Sequence, residues 1–232
     1  MLLIKTQSNS EFRVIRNGVR MKTPINTGTL RQHLTYSWWK YLLIALIAFG
    51  LVDLLYTVTA YHAPRDKTVG LYVYGYVNET ELNPYLDNIR QTEMPDMEEV
   101  NGLALTIDDT YGPMQLMTYL AAGEGDVYLL PREQFLNNAM SGSLLPLEND
   151  AELLSLFDSR NISLQSGWRR DTETGETHLY GIPLDKLPGL SRYVYAQDGY
   201  LSVIISSGNK ENALKLLRIL CRDGLQESAE QP

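Results

Sequence analysis

The side chains that most often carry chemistry are few and scattered along this chain of 232 residues. Its three histidines, His33, His62 and His178, lie in three different regions, and its only cysteine is Cys221. A zinc site or a Cys–His nucleophile needs such residues close together, so neither is supported. There is no G-x-S-x-G elbow and no glycine-rich phosphate loop. The sequence therefore predicts a protein that is not an enzyme and that uses no cofactor.

Two acidic stretches remain as candidates for metal-ion or acid–base chemistry. One runs from Glu93 to Glu99, and the other is the pair Asp108-Asp109. Closely spaced carboxylates of this kind can bind Ca²⁺ or act as a general acid and base. The alternative is a solvated loop for the first stretch and a helix cap for the second. The sequence favours the alternative, because a polar residue here can cap a helix that begins near Pro113.

An apolar segment from Tyr41 to Tyr61 separates a basic head from an acidic body. As an α-helix its 21 residues would span about 31 Å, which matches a hydrocarbon core of roughly 30 Å. Trp38 and Trp39 lie at one end and Tyr61 at the other, where amphipathic rings favour the headgroup layer. The segment is therefore predicted to be a transmembrane helix.

Two features of this segment, Asp53 and the residues before Tyr61, each allow more than one interpretation. Asp53, the only charged residue of the segment, either marks a partner helix or polar path, or lies in the outer half, protonated or reached by water. A signal peptidase could also cleave after Ala60, because Val58-Thr59-Ala60 has small residues at the two positions that matter. The long basic head and the length of the apolar run favour a retained anchor.

Charge predicts the orientation of the anchor. Residues 1–40 hold seven basic residues against one acid, whereas residues 62–232 hold 26 acids against 13 basic residues, a net charge of about −13. The basic head is therefore expected in the cytoplasm, with attraction to anionic membrane lipid, and the acidic body outside the cell membrane. An acidic body also excludes nucleic acid as a partner, because phosphate binding needs a basic surface.

The body alternates strand-like and helix-like stretches, which predicts an α/β fold with a parallel or mixed sheet. The predicted regions are a cytoplasmic tail (1–40), a transmembrane helix (41–61), a linker (62–68), an extracytoplasmic α/β domain (69–225) and a disordered C-terminal tail (226–232). Within the domain we expect strands at 69–77, 103–107, 127–131 and 200–206, helices at 79–90, 113–122, 132–141 and 209–222, and a hairpin within 161–185.

Tyrosine is unusually abundant, with 15 residues, and three tyrosines alternate along the first predicted strand. Tyr72, Tyr74 and Tyr76 therefore share one face of that strand. This face either packs under a helix or forms an exposed aromatic platform for a partner or ligand. Cys221 lies on the apolar stripe of the last helix, which predicts a buried thiol.

Three segments resemble the extracellular solute-binding proteins of ABC transporters. They are the turn, strand and helix from Gly123 to Leu147, the strand Tyr180-Gly-Ile-Pro-Leu184, and the helix from Asn209 to Leu217. They occur in the family's order. The resemblance implies a fold like one lobe of such a binder. In that family the chain then builds a second lobe, but here only Asp185 to Gly199 separates the exit strand from the returning strand. The second lobe is therefore expected to be missing.

Because such binders trap their ligand between two lobes, half a cleft predicts an interaction or accessory module with a protein partner at the cell envelope. The competing hypothesis is a reduced receptor that binds a small molecule weakly for an ABC transporter. In open α/β sheets, ligands bind beyond the carboxyl ends of the strands. The predicted contact residues at that edge are Tyr76, Asp109, Tyr111, Arg132 and Tyr180.

Overall fold

The computed structural model describes residues 27–59, 63–108, 110–172 and 174–226, with side chains from Trp38 onward. The chain divides into two compact units, Met1–Tyr61 and His62–Pro232. The predicted boundaries of the linker and tails stay predictions, and most of the 1–40 and 226–232 tails lies outside the described residues, as do Asp109 and Tyr61.

The first unit contains one long helix, α1 (Thr27–Thr59). Its stretch Trp38–Thr59 has a mean hydropathy of 2.2 and none of it is buried, and it is the one helix of the described residues long and apolar enough to cross a membrane. The helix begins before the predicted Tyr41, because no proline interrupts the chain between Pro24 and Pro64. The indoles of Trp38 and Trp39 meet edge to face, with ring centroids 5.9 Å apart.

The second unit is a mixed α/β domain. In chain order its elements are β1 (Thr68–Val73), β2 (Tyr76–Val77), α2 (Glu79–Thr92), β3 (Glu99–Ala104), α3 (Tyr111–Ala122), β4 (Val127–Leu130), α4 (Arg132–Met140), α5 (Ala151–Asp158), β5 (Trp168–Arg170), β6 (Thr177–Leu179), β7 (Ile182–Pro183), β8 (Val194–Tyr195), β9 (Tyr200–Val203) and α6 (Lys210–Gly224).

Five strands form the central sheet, in the order β3-β1-β4-β9-β7. Strands β3, β1 and β4 are parallel, and β9 is antiparallel to both β4 and β7, with Leu129 opposite Leu201. The predicted α/β fold is confirmed, and so is the insertion of the late strand beside the early ones. Two short ribbons, β2 with β8 and β5 with β6, lie outside this sheet.

Apolar side chains on the two faces of the sheet form separate hydrophobic clusters, which makes three layers. Val69, Leu71 and Val73 of β1 pack with the apolar stripes of α2 and α6. Tyr74, Tyr128 of β4 and Phe135 of α4 belong to the other cluster, with Leu116 of α3. Cys221 is fully buried in the first cluster, as predicted.

The first predicted strand is divided in two, and this separates its three tyrosines. Tyr72 stacks on Tyr128 and meets Tyr119 of α3 edge to face, and Tyr74 is 8% exposed. Only Tyr76, in the ribbon strand β2, is exposed. Tyr72 and Tyr74 thus pack under a helix, whereas Tyr76 is free to contact a partner.

The structure differs from the sequence prediction in the bounds of one strand, in one additional helix and in one helix cap. The second strand begins at Glu99 rather than Leu103, because β3 pairs along the whole of β1. Helix α5 was not predicted; the Asp150 carboxylate caps it by accepting a hydrogen bond from the backbone N–H of Leu153 at 3.0 Å. Asn209 precedes α6 but does not cap it with its side chain. Its amide instead donates to the backbone oxygens of Asp66 and Thr68, at 3.1 and 3.2 Å.

Candidate functional site

A pocket of about 510 Å³ lies at the carboxyl edge of the sheet. Its walls come from four places that the topology brings together: the start of α4 after β4, the end of β7, the loop from Leu187 to Gly199, and the first residue of β9. Because β9 runs against β4, its first residue, Tyr200, lies opposite Leu130, the last residue of β4. The pocket therefore occupies the part of an open α/β sheet where ligands generally bind.

Two exposed tyrosines form a pair at the rim of this pocket. Tyr76 of β2 lies directly opposite Tyr195 of β8, and the two residues are 66% and 62% exposed. Tyr195 lines the pocket. The ribbon depends on Gly75, because a Cβ at that position would collide with the carbonyl oxygen of Tyr195. The arrangement presents two adjacent aromatic rings to solvent.

Arg132 supplies a cation to the same pocket. It is the first residue of α4, it is exposed, and it lines the cavity. Within the described part of the chain its guanidinium forms no hydrogen bond or ion pair. Among the acids of the pocket, Asp185 is paired with Lys186, with 2.8 Å between Oδ2 and Nζ. Arg132 is therefore available to an incoming carboxylate or carbonyl group.

The wall behind the pocket is aromatic and rigid. The ring of Tyr200 stacks on that of Phe135, with centroids 4.1 Å apart, and the guanidinium of Arg169 lies 5.6 Å from the centre of the Phe135 ring. Phe135 is fully buried and Tyr200 is 6% exposed. This packing fixes the start of α4, and with it the backbone of Arg132.

The remaining predicted contact residues are placed differently. Tyr111 is the first residue of α3 and is 68% exposed, and Asp109 lies outside the described residues. Tyr180 is 2% exposed, and its hydroxyl donates to Oδ2 of Asp171 at 3.4 Å. Burial and the neighbouring Asp171 carboxylate raise the pKa of Tyr180. Its side chain thus belongs to the core rather than to the surface of this edge.

Sequence reasoning missed Tyr195. Strand β8 has two residues and exists only because it pairs with β2, more than a hundred residues earlier in the chain. The alternation of Tyr193, Val194 and Tyr195 is the one local signal for it.

One residue of each acidic stretch has a structural role in the described part of the chain. Oδ1 of Asp108 accepts hydrogen bonds from the backbone N–H groups of Thr110 and Tyr111, both at 2.9 Å, which lower the pKa of Asp108. Asp108 thus bonds the backbone just before α3 and at its first residue, whereas the N-cap residue, Thr110, makes no side-chain capping hydrogen bond. Glu93 forms a bidentate ion pair with Arg222, at 2.6 and 2.7 Å, which lowers the pKa of Glu93. Among the described residues there is no group of three or more His, Cys, Asp or Glu side chains that could hold a metal ion.

A smaller depression of about 240 Å³ lies at the opposite, amino edge of the sheet. Its buried acid, Asp126, accepts hydrogen bonds from the backbone N–H of Gly70 at 2.9 Å and from the hydroxyl of Ser207 at 2.6 Å. Burial raises the pKa of Asp126. Because both bonds connect separate segments of the chain, Asp126 holds the entry to β4 in place.

His178 forms an ionisable cluster on the β5–β6 hairpin. Its Nδ1 is hydrogen-bonded to Oε1 of Glu148, and its Nε2 lies 3.4 Å from Oε2 of Glu176. The second oxygen of Glu148 accepts from the backbone N–H of Leu179 at 3.1 Å. These carboxylates raise the pKa of His178. Glu148 thus fastens the hairpin to the loop between α4 and α5.

No protein-family model matches this chain. No curated protein matches it in sequence. Similar solved structures include a family 1 extracellular solute-binding protein from Alicyclobacillus acidocaldarius, with 21% identity over 50% of this chain and 27% of that protein, at a TM-score of 0.38. Another is a family 1 extracellular solute-binding protein from Bifidobacterium longum subsp. infantis, with 16% identity over 50% and 27%, at a TM-score of 0.37.

A third similar structure is an N-glycan transport solute-binding protein from Streptococcus pneumoniae, with 16% identity over 50% of this chain and 24% of that protein, at a TM-score of 0.35. The chain spans about a quarter of the length of these three proteins. All three are solute-binding proteins, the class that segments within residues 123–217 resemble.

Proposed function

We propose that this chain is a membrane-anchored interaction module whose α/β domain lies outside the cell membrane and contacts a protein partner of the cell envelope through the carboxyl edge of its sheet. The anchor is supported by α1, which is apolar over Trp38–Thr59, and by the basic residues before it. The acidic domain after it fits the extracytoplasmic side, because positive charge is retained in the cytoplasm.

The proposed contact surface is inferred from the exposed pair Tyr76 and Tyr195 beside the unpaired Arg132. Tyrosine and arginine are enriched among the residues that dominate the binding energy of protein interfaces. Both rings are about two-thirds exposed, and the backbone that presents them is held by a strand pair. A partner would therefore bury them without paying for a large ordering of the chain.

A small-molecule ligand is the second candidate, and the pocket volume favours it. A volume of about 510 Å³ lies within the range of roughly 300–1,000 Å³ that is usual for ligand sites. The pocket is open, and one lobe covers only one side of a bound solute. Weak binding follows, because a tightly held small ligand has most of its surface buried.

The test is recovery of a partner from cross-linked membranes that contain the full-length chain. The triple variant Tyr76→Ala/Tyr195→Ala/Arg132→Ala, called the edge variant, should fail to recover a stoichiometric partner that the unmodified chain recovers. A control, Met140→Ala/Lys210→Ala, removes an exposed apolar side chain and an exposed cation away from the pocket, at the far end of α4 and the start of α6. It should retain the partner.

Two results would contradict the protein-contact proposal. Equal recovery by the edge variant and the control would place the contact elsewhere. A saturable rise in melting temperature with one compound of a metabolite panel, lost in the edge variant and unaccompanied by any partner, would support the small-molecule receptor instead. A large fall in melting temperature of the edge variant alone would show that these residues support the fold.

A further inference from the structure

Helix α3 has an unusual surface. None of its residues from Tyr111 to Ala122 is charged, and only Gly112 and Leu116 are buried. Its solvent side carries Tyr111, Met114 and Met117, which are 68%, 65% and 65% exposed, followed by Thr118, Ala121 and Ala122. We call these six residues the α3 face. They recur at helical spacing and so form one continuous stripe.

A helix that is largely apolar and carries no charge on any side is normally buried. Here the inner side packs through Leu116 against the cluster that contains Tyr74 and Tyr128, while the outer side faces solvent. Contiguous apolar patches of this kind on a soluble domain usually mark a contact surface. The two methionines suit such a contact, because their flexible side chains adapt to an opposing surface.

We propose that the α3 face binds the α3 face of a second copy of this chain. The distribution of charge favours this contact. The body carries 26 acids and 13 basic residues, so two copies repel each other over most of their surfaces. The α3 face has no charge, so it offers an approach without a carboxylate at the centre of the contact.

The order of side-chain sizes along the helix also fits a second copy. Large side chains occupy the first half of the face and small ones the second half. In an antiparallel pair of helices with a two-fold axis between Met117 and Thr118, Met114 of one copy faces Ala121 of the other, and Met117 faces Thr118. Large residues then meet small ones on both sides of the axis, as a two-fold contact requires of a single surface.

The area of the face is also sufficient. With three large side chains about two-thirds exposed, a contact that covered the whole face on both copies would bury on the order of 1,200 Å² in total, the lower limit for a specific stable interface. Asp108 and Glu124 flank the two ends of the face and are exposed. In the antiparallel arrangement Glu124 of one copy lies opposite Tyr111 of the other, three residues from Asp108, so added salt should strengthen the dimer by screening the repulsion between these carboxylates.

Site-specific cross-linking of the full-length chain tests the proposal directly. Cys221 is the only cysteine and is fully buried, so a single introduced cysteine provides the accessible thiol. Met117→Cys, next to the predicted axis, should form a covalent dimer under mild oxidation in several-fold excess over Asn88→Cys. Asn88 is an exposed position of α2, which belongs to the opposite layer.

A charge swap provides the second measurement. Adding Met114→Lys to Met117→Cys should reduce the covalent dimer several-fold, and adding Ala121→Glu as well should restore it, because the two new charges face each other across the axis. Raising the salt concentration should increase the dimer formed by Met117→Cys alone. Thermal melts of each variant verify folding, which these exposed positions should leave unchanged.

Equal cross-linking at Met117 and Asn88 would overturn the proposal, because contact would then come from collisions or from another segment. Absence of any dimer, or a product in which the Met117→Cys thiol is linked to a different protein, would overturn it too. Failure of Ala121→Glu to rescue Met114→Lys would refute the antiparallel arrangement. None of these readouts depends on the residues of the carboxyl-edge pocket.

Discussion

Replacing Glu148 with Gln should lower the stability of the α/β domain most strongly between about pH 5 and pH 6.5. The change removes the charge of the carboxylate that is bonded to His178 but keeps an amide oxygen for the backbone N–H of Leu179. Glu176 and Asp171 also contribute to the raised pKa of His178 and remain in the variant. The experiment therefore isolates one ion pair.

The size of the effect follows from the partial exposure of the pair. The side chains of His178 and Glu148 are 22% and 21% exposed. A charge-assisted hydrogen bond in such a position contributes about 0.5–1.5 kcal/mol to the free energy of unfolding. For a domain of this size that corresponds to a fall of roughly 1–6 °C in melting temperature.

The sign of the pH dependence follows from the raised pKa of His178. Below its ordinary value of about 6.5 the imidazole is protonated in both the folded and the unfolded chain, so the pair contributes fully. As pH rises through the higher pKa of the folded state, the folded chain loses its extra proton and this stabilisation disappears. The difference between the unmodified chain and Glu148→Gln should therefore be largest near pH 5.5 and should shrink at alkaline pH.

Thermal melts of the full-length chain from pH 5 to pH 9 measure this difference. Glu133→Gln removes one exposed carboxylate of α4 that has no partner among the described residues, and it controls for the change in net charge. A difference between Glu148→Gln and the unmodified chain that stays constant with pH would refute a charged His178. Equal effects of the two substitutions would mean that only net charge matters.

Three further outcomes are expected. Protease added to intact protoplasts should remove the domain and spare residues 1–40; survival of the domain would contradict the proposed orientation. Cys221 should react with maleimide only after unfolding, because burial raises the pKa of its thiol and blocks access; labelling of the folded chain would place it at the surface. Tyr180→Ala should lower the free energy of unfolding by about 3–5 kcal/mol, whereas Tyr76→Ala should lower it by less than about 1 kcal/mol. Denaturant titration of the two variants measures both losses. Similar losses would show that Tyr180 is not the core residue that the structure describes.

The layers of the domain could be predicted from the sequence because local signals mark their helices. Gly123 has a positive φ of 63° and ends α3, as a helix followed by Gly-Glu-Gly predicts. The short connection from Asp185 to Gly199 predicts that the last strand returns to the same sheet, and β9 does so. These features depend on residues close together in the chain.

The pocket was less predictable, because pairings between distant residues create it. Arg132 follows a strong strand and was identified, but Tyr195 needs β2 as its partner. The sequence predicts Tyr180 at the surface of this edge because it begins an apparent exit strand. It is buried because β6 and β7 pass against α4, where the Phe135 ring lies so close to Gly181 that a Cβ there would come within 2.7 Å of it.

The position of β9 in the sheet also dictates the order in which the domain can fold. Strand β4 is fully buried and has β9 as its second neighbour, yet the two strands are separated by about seventy residues. At a synthesis rate of 5–20 residues per second, Val127–Leu130 would keep an unpaired edge for roughly 4–14 s before Tyr200–Val203 emerges. Four consecutive apolar residues with an open edge form a template for aggregation. Strand β4 therefore gains its second neighbour, and loses its open edge, only when the chain is nearly complete.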